Sequence, residues 1–188
     1  GIVSASQAVS GLVGDILDLA SVEAGLLELD MASLDLHICL AETMQLVGER
    51  ARHKKLKLQF DCPLDIGWIE ADERRLKQCL LHVLGNAITF SSSGGILQIS
   101  ATRNTSGVKI DISDTGIGIP KVDIERVFKG FERGDGADSL KPGAGLGLTL
   151  VRAFMELQGG RVEIASKPNQ GTTVSLILPD EKTPDAPL

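Results

Sequence analysis

"DERRLKQCLLHVLGNAITFS", residues 72–91, decides the fold of this chain. Asp72 is a helix N-cap by type and place, and the apolar positions that follow recur at helical spacing as far as about Phe90. His82 and Asn86 lie one turn apart inside that apolar pattern. Taken alone, the pair is either two satisfied polar residues in a core or the working face of a site.

Working outward from this helix, "CLAETMQLVGERARHKK" (39–55) reads as a helix, and "LKLQFDCP" (56–63) and "GWIEAD" (67–72) as short strands. Two period-two strands, "GILQISATRN" (95–104) and "GVKIDISDT" (107–115), flank a turn at Thr105–Gly107. A short helix is expected over 121–131 and an aperiodic glycine-rich stretch over 132–143. "AGLGLTLVRAFMELQGG" (144–160) reads as a helix, and "RVEIASK" with "GTTVSLILP" as a closing hairpin. Helices grouped against antiparallel strands, with no repeat and no strict βα alternation, imply an α+β two-layer sandwich.

Ahead of this unit, Ile2, Ala5, Val9, Leu12, Ile16, Leu19 and Leu26 follow three-four spacing, interrupted by Glu23. Val13, Leu17 and Ala20 widen the stripe toward that of a helical bundle. Residues 1–30 are therefore expected to form a bundle helix, 31–180 the compact domain and 181–188 a frayed tail. Beginning at Gly1 inside a helical pattern, the sequence reads as part of a longer protein.

The 188 residues carry a net charge of −6, which argues against a nucleic-acid binder with its basic stripe. Cys39, Cys62 and Cys79 are widely spaced and show no zinc-ligand pattern, the expectation for free thiols in a reducing cytoplasm. Apolar runs fall well short of the ~20 residues of a membrane span, so no membrane contact is expected of this segment. The parent protein retains the option of an upstream tether.

Three stretches carry chemistry. "DTGIGIP" (114–120) puts an acid at a strand end, followed by glycines where a ligand can approach backbone closely. "PGAGLGL" (142–148) opens a helix and offers backbone N–H groups to phosphates, without the Gly-Lys-Ser/Thr of a Walker loop or the βαβ setting of a dinucleotide fold. The third is the 72–91 helix. Each has a plainer reading: Asp114 as a turn cap, Asn86 as a core amide, Phe128 and Phe131 as packing, Arg133 as a solvated charge.

In their order, "DERRLKQCLLHVLGNAITFS", "DTGIGIP", "VFKGFERGD" (127–135) and "GAGLGL" (143–148) resemble the N, G1, F and G2 boxes of sensor histidine kinases. "ILDLASVEAGLLEL" (16–29) is similar to the second helix of their dimerisation and phosphotransfer hairpin, of the alphaproteobacterial kind. A weaker similarity is to the atypical DivL-type proteins, whose acceptor is Tyr. The resemblance implies the ATP-binding (Bergerat) sandwich shared with gyrase, Hsp90 and MutL. It makes Asp114 the adenine-binding carboxylate and Asn86 the Mg²⁺ ligand. Gly116 and Gly118 then close on the purine. Gly143, Gly145, Leu146 and Gly147 shape the phosphate end, and Arg133 contacts phosphate. Residues 132–142 make a lid, with Phe128 and Phe131 as anchors.

The cofactors implied are ATP and Mg²⁺, and the implied partners are a second copy through the N-terminal helix, a response regulator and another kinase. Two positions depart from the pattern: His82 stands where the family has Asn, and Thr89 where it has Lys, leaving Arg133 or Lys141 to compensate. None of His37, His53 and His82 has the context of a phosphoacceptor, so the acceptor is expected upstream and no catalytic residue within the segment. Two further readings follow from the departures: a non-catalytic signalling module, and a hydrolysing clamp with His82 as base, disfavoured by the missing Glu.

Overall fold

The computed structural model describes residues 2–129 and 145–180. Its elements are α1 (Ile2–Glu23), β1 (Met31–Asp35), α2 (Leu36–His53), β2 (Lys57–Asp61), β3 (Trp68–Asp72), α3 (Glu73–Phe90), β4 (Ile96–Asn104), β5 (Gly107–Asp114), α4 (Gly147–Leu157), β6 (Arg161–Ser166) and β7 (Thr172–Pro179).

The opening helix forms as its sequence dictates. Asp72 caps α3, its Oδ1 accepting from the Arg75 N–H at 3.0 Å. Leu76, Cys79, Leu80, Val83, Leu84, Ala87 and Ile88 make a continuous buried stripe. At the other end, Lys54 Nζ donates to the carbonyls of Ile88 (2.5 Å) and Thr89 (2.6 Å), placing a cation on the negative end of the helix dipole.

Five strands form one sheet in the order β2-β4-β5-β7-β6. One face buries Leu97, Ile99 and Ala101 from β4, Val108, Ile110 and Ile112 from β5, and Val174, Leu176 and Leu178 from β7, in a core shared with α2, α3 and α4. Each buried aliphatic side chain contributes about 1.5–3 kcal/mol relative to exposure. The α+β two-layer sandwich is thus observed.

Two details differ from the sequence expectation. The pairing of β2 with β4 is parallel, because β3 leaves the main sheet to pair with β1 and α3 carries the chain back alongside β2. Instead of a helix beginning at 121, two separate 3₁₀ turns occupy Lys121–Asp123 and Arg126–Phe128. Val122, Ile124 and Val127 are β-branched, and no residue of the second turn is buried, so packing does not extend the first turn into an α-helix.

Lys55, just after α2, sits at φ 57°. That left-handed conformation costs a side-chain-bearing residue about 1 kcal/mol or more. Lys55→Gly is expected to raise the unfolding free energy by about 0.5 kcal/mol, net of glycine's greater unfolded-state entropy, as read from urea denaturation.

Helix α1 ends at Gly25, where φ of 67° allows the Leu26 N–H to reach back to Ser21 O at 2.9 Å. The apolar stripe of α1 divides into two. Leu12 is half-buried, and Leu19 and Val22 pack against the core of the chain's own sandwich. Ile2, Val9, Val13, Ile16 and Leu17 stay exposed. Among the described residues, no helix is long and apolar enough to cross a membrane.

Candidate functional site

Asp114 is the last residue of β5, held in register by Leu97 of β4 on one side and Thr172 of β7 on the other. Its Oδ1 accepts from the Gly116 N–H at 2.8 Å, which turns the chain sharply. The loop then docks on the C-terminus of α3: Ile117 N–H donates to Phe90 O at 3.3 Å. A Cβ on Gly116 would lie 2.5 Å from that same carbonyl, so glycine is what lets the loop approach the helix. Burial raises the Asp114 carboxyl above the ordinary range, opposed by the backbone N–H groups of Gly116 and Thr172.

Gly118 takes φ 69° against the β6–β7 turn. That turn holds the loop by two bonds, Asn169 N–H to Ile117 O at 2.6 Å and Ile119 N–H to Ser166 Oγ at 2.7 Å. Sequence reasoning passed over this support, although the "NQGTT" of residues 169–173 announces a turn followed by a β-branched strand.

Asn86 is half-buried, and its carboxamide has no hydrogen-bond partner among the described residues. One turn earlier, the Nδ1 of His82 lies 3.2 Å from where a Cβ on Gly147 would be. One turn later is Phe90, whose carbonyl meets the Gly116–Ile117 loop. Residues 82, 86 and 90 therefore share one face of α3: its ends touch the glycine-rich start of α4 and the loop after Asp114, and Asn86 lies between. Eight helical residues span about 12 Å.

Gly147 is the first residue of α4, preceded by Gly145 at φ 71°. The Leu146 side chain is buried in the core, leaving its backbone alone as a possible ligand contact. Thr149 Oγ1 donates to Phe128 O at 2.8 Å, and the Phe128 ring lies 4.7 Å beneath the Arg152 guanidinium. Packing thus accounts for Phe128. Arg133 and Gly143, with Phe131, Lys141 and the lid expected over 132–142, lie outside the described residues.

The two departures have structural partners. Thr89 Oγ1 donates to the Gly85 carbonyl of its own helix at 2.8 Å. His82 Nε2 faces Asp15 Oδ1 of α1 at 3.3 Å. With Gly147 against one ring nitrogen and Asp15 against the other, His82 bridges α1 and the start of α4.

A family model described as histidine kinase-, DNA gyrase B- and HSP90-like ATPase matches residues 71–182. Among curated relatives from Caulobacter vibrioides, the chain is 39% identical to the non-motile and phage-resistance protein over 94% of its length and 21% of that protein's. It is 36% identical to the histidine protein kinase DivJ, covering 89% of this chain and 28% of that one. For the sensor protein DivL the identity is 33%, with 97% and 23% covered. The chain thus spans about a quarter of the length of these relatives. Among solved structures, full-length ShkA in complex with AMPPNP superposes with a TM-score of 0.79 at 31% identity, covering 95% of this chain and 37% of that one. With the Asp114 loop, the open Asn86 face of α3 and the glycine-rich start of α4 on one sandwich, the chain belongs to the histidine kinase-, DNA gyrase B- and HSP90-like ATPase family as a catalytic domain of the histidine kinase kind.

Proposed function

We propose that the chain binds Mg·ATP on the 82–86–90 face of α3 and presents it for phosphoryl transfer to an acceptor outside these residues, and from there to a response regulator. The observation that carries this reading is the Asn86 carboxamide, without a hydrogen-bond partner among the described residues, on the helix face between the Asp114 loop and Gly147. An amide oxygen is a hard ligand, suited to a Mg²⁺ ion that keeps phosphate and water oxygens in its remaining positions. Asp114, acceptor-only when ionised, suits the amino group of adenine. Gly116 and Gly118, whose lack of a side chain seats the loop on the carbonyls of Phe90 and Lys167, hold the backbone beside Asp114 that closes on the purine, while Gly145, Gly147 and the Leu146 backbone face the phosphates. The AMPPNP held by the ShkA relative supports the nucleotide class. Mg²⁺ supplies charge neutralisation to the transferring phosphoryl group, and the protein supplies position.

Residues 1–30 are then the second helix of a dimerisation hairpin. Exposure of Val9, Val13, Ile16 and Leu17 supports a second copy as the cover for that face. The comparisons do not favour the non-catalytic reading.

Asn86→Ala separates metal from base recognition. Calorimetry should show Mg·ATP affinity falling about 10-fold, on the order of 1.4 kcal/mol, with affinity for ADP in EDTA unchanged. Equal loss in both titrations would remove Asn86 as a metal ligand, and no binding of Mg·ATP by the unaltered chain would end the reading.

A further inference from the structure

We propose that His82 couples helix α1 to the glycine-rich start of α4, so that docking of α1 and nucleotide binding strengthen one another. The inference rests on nucleotide occupying the space in front of Asn86.

The contact begins in sequence spacing. Arg75, Gln78 and His82 fall on one face of α3, and Asp15 and Asp18 on one face of α1. Asp18 accepts from Arg75 Nη1 at 3.0 Å through Oδ1 and from Gln78 Nε2 at 2.9 Å through Oδ2. Asp15 takes His82. The four charged or titratable side chains of this clasp are between 12% and 24% exposed, well shielded compared with ordinary surface pairs. Arg75 also lies 4.9 Å over the Phe154 ring of α4, so the clasp reaches that helix twice.

Apolar packing beneath the clasp is modest. Leu19 and Val22 are only partly buried, while the opposite face of α1 remains open. The polar pairs therefore weigh heavily in whether α1 stays docked.

His82 ties this docking to the site. Its ring, held by Asp15, sits against Gly147, where a larger residue would press on the imidazole. The Gly147 amide is among the N–H groups at the start of α4 that lack a partner within their own helix. Holding Gly147 in place lowers the ordering cost of binding a phosphate group there. Coupling of this kind is reciprocal, so nucleotide must in turn favour docked α1.

Hydrogen exchange and calorimetry on the whole chain with Mg·AMPPNP test the coupling. Nucleotide should slow amide exchange across residues 10–22. Asp15→Ala combined with Asp18→Ala should speed exchange there, leave the β4, β5 and β7 amides as protected as before, and lower nucleotide affinity roughly 5- to 10-fold. Asp15→Glu, which keeps the carboxylate, should retain the nucleotide effect on α1. If the double variant binds nucleotide as tightly as the unaltered chain, or if exchange in α1 ignores nucleotide that demonstrably binds, the coupling is overturned while the site assignment stands. Failure of the unaltered chain to bind at all would instead remove the nucleotide reading and this coupling with it.

Discussion

Asp114→Ala is expected to lower nucleotide affinity about 10- to 100-fold, both with and without Mg²⁺, by isothermal titration calorimetry. Losing a charge-assisted hydrogen bond to a partly buried partner costs about 1.5–3 kcal/mol. The substitution also frees the Gly116 N–H that Asp114 Oδ1 accepts, loosening the turn that seats Ile117 on Phe90. Its metal-independence distinguishes it from Asn86→Ala. An unchanged affinity would remove Asp114 from the site.

A pH signature accompanies it. The carboxyl is held above the ordinary aspartate range by burial, against an unfolded value of about 3.9. The folded state therefore binds this proton more tightly than the unfolded state. Asp114 contributes stability that is fully present below the unfolded value and lost as pH rises through the raised folded value. Asp114→Asn removes that slope, so its stability relative to the unaltered chain should improve between about pH 4 and neutrality in urea titrations. A flat difference across that window would contradict the burial argument.

Gly171→Ala is expected to cost at least about 3 kcal/mol of stability, lowering Tm by about 6–12 °C for a domain of this size. Gly171 has φ of 85°, and a Cβ there would overlap the Asp114 carbonyl far inside van der Waals contact. Neither side yields easily: Asp114 is paired with Leu97 and Thr172 across the sheet. Relief has to come from displacing the end of β5, which carries the proposed adenine contact. Loss of nucleotide affinity should accompany the thermal shift. A folded, fully binding Gly171→Ala would mean that the β6–β7 turn does not brace the site.

His82 illustrates how a departure from a family pattern changes meaning in three dimensions. By residue type it was open to acting as a base for water. The structure sets it between Asp15 and Gly147, two groups 132 positions apart in the chain. Thr89 is similar: its hydroxyl turns back onto Gly85, while Lys54 puts a cation at the Thr89 carbonyl. Neither Arg133 nor Lys141, the compensating cations expected from sequence, lies within the described residues.

Local patterns in the sequence were enough for much of this protein. Asp72 and the stripe that follows it dictate α3, period-two runs dictate β4, β5 and β7, and the glycines of 114–120 mark a close backbone approach, because capping, alternation and the absence of a Cβ act over a few residues. Those patterns also sufficed for the family boxes and for Asn86 and Asp114 as candidates. Tertiary structure alone decided the parallel placement of β2 beside β4, the bracing of the Asp114 loop by the 167–171 turn, and the division of the α1 stripe between its own sandwich and an open face. It alone placed Asn86 between two loops and joined His82 to Asp15. Each of these depends on contacts between groups far apart in the chain, and period and propensity carry no information about which distant surface a side chain will meet.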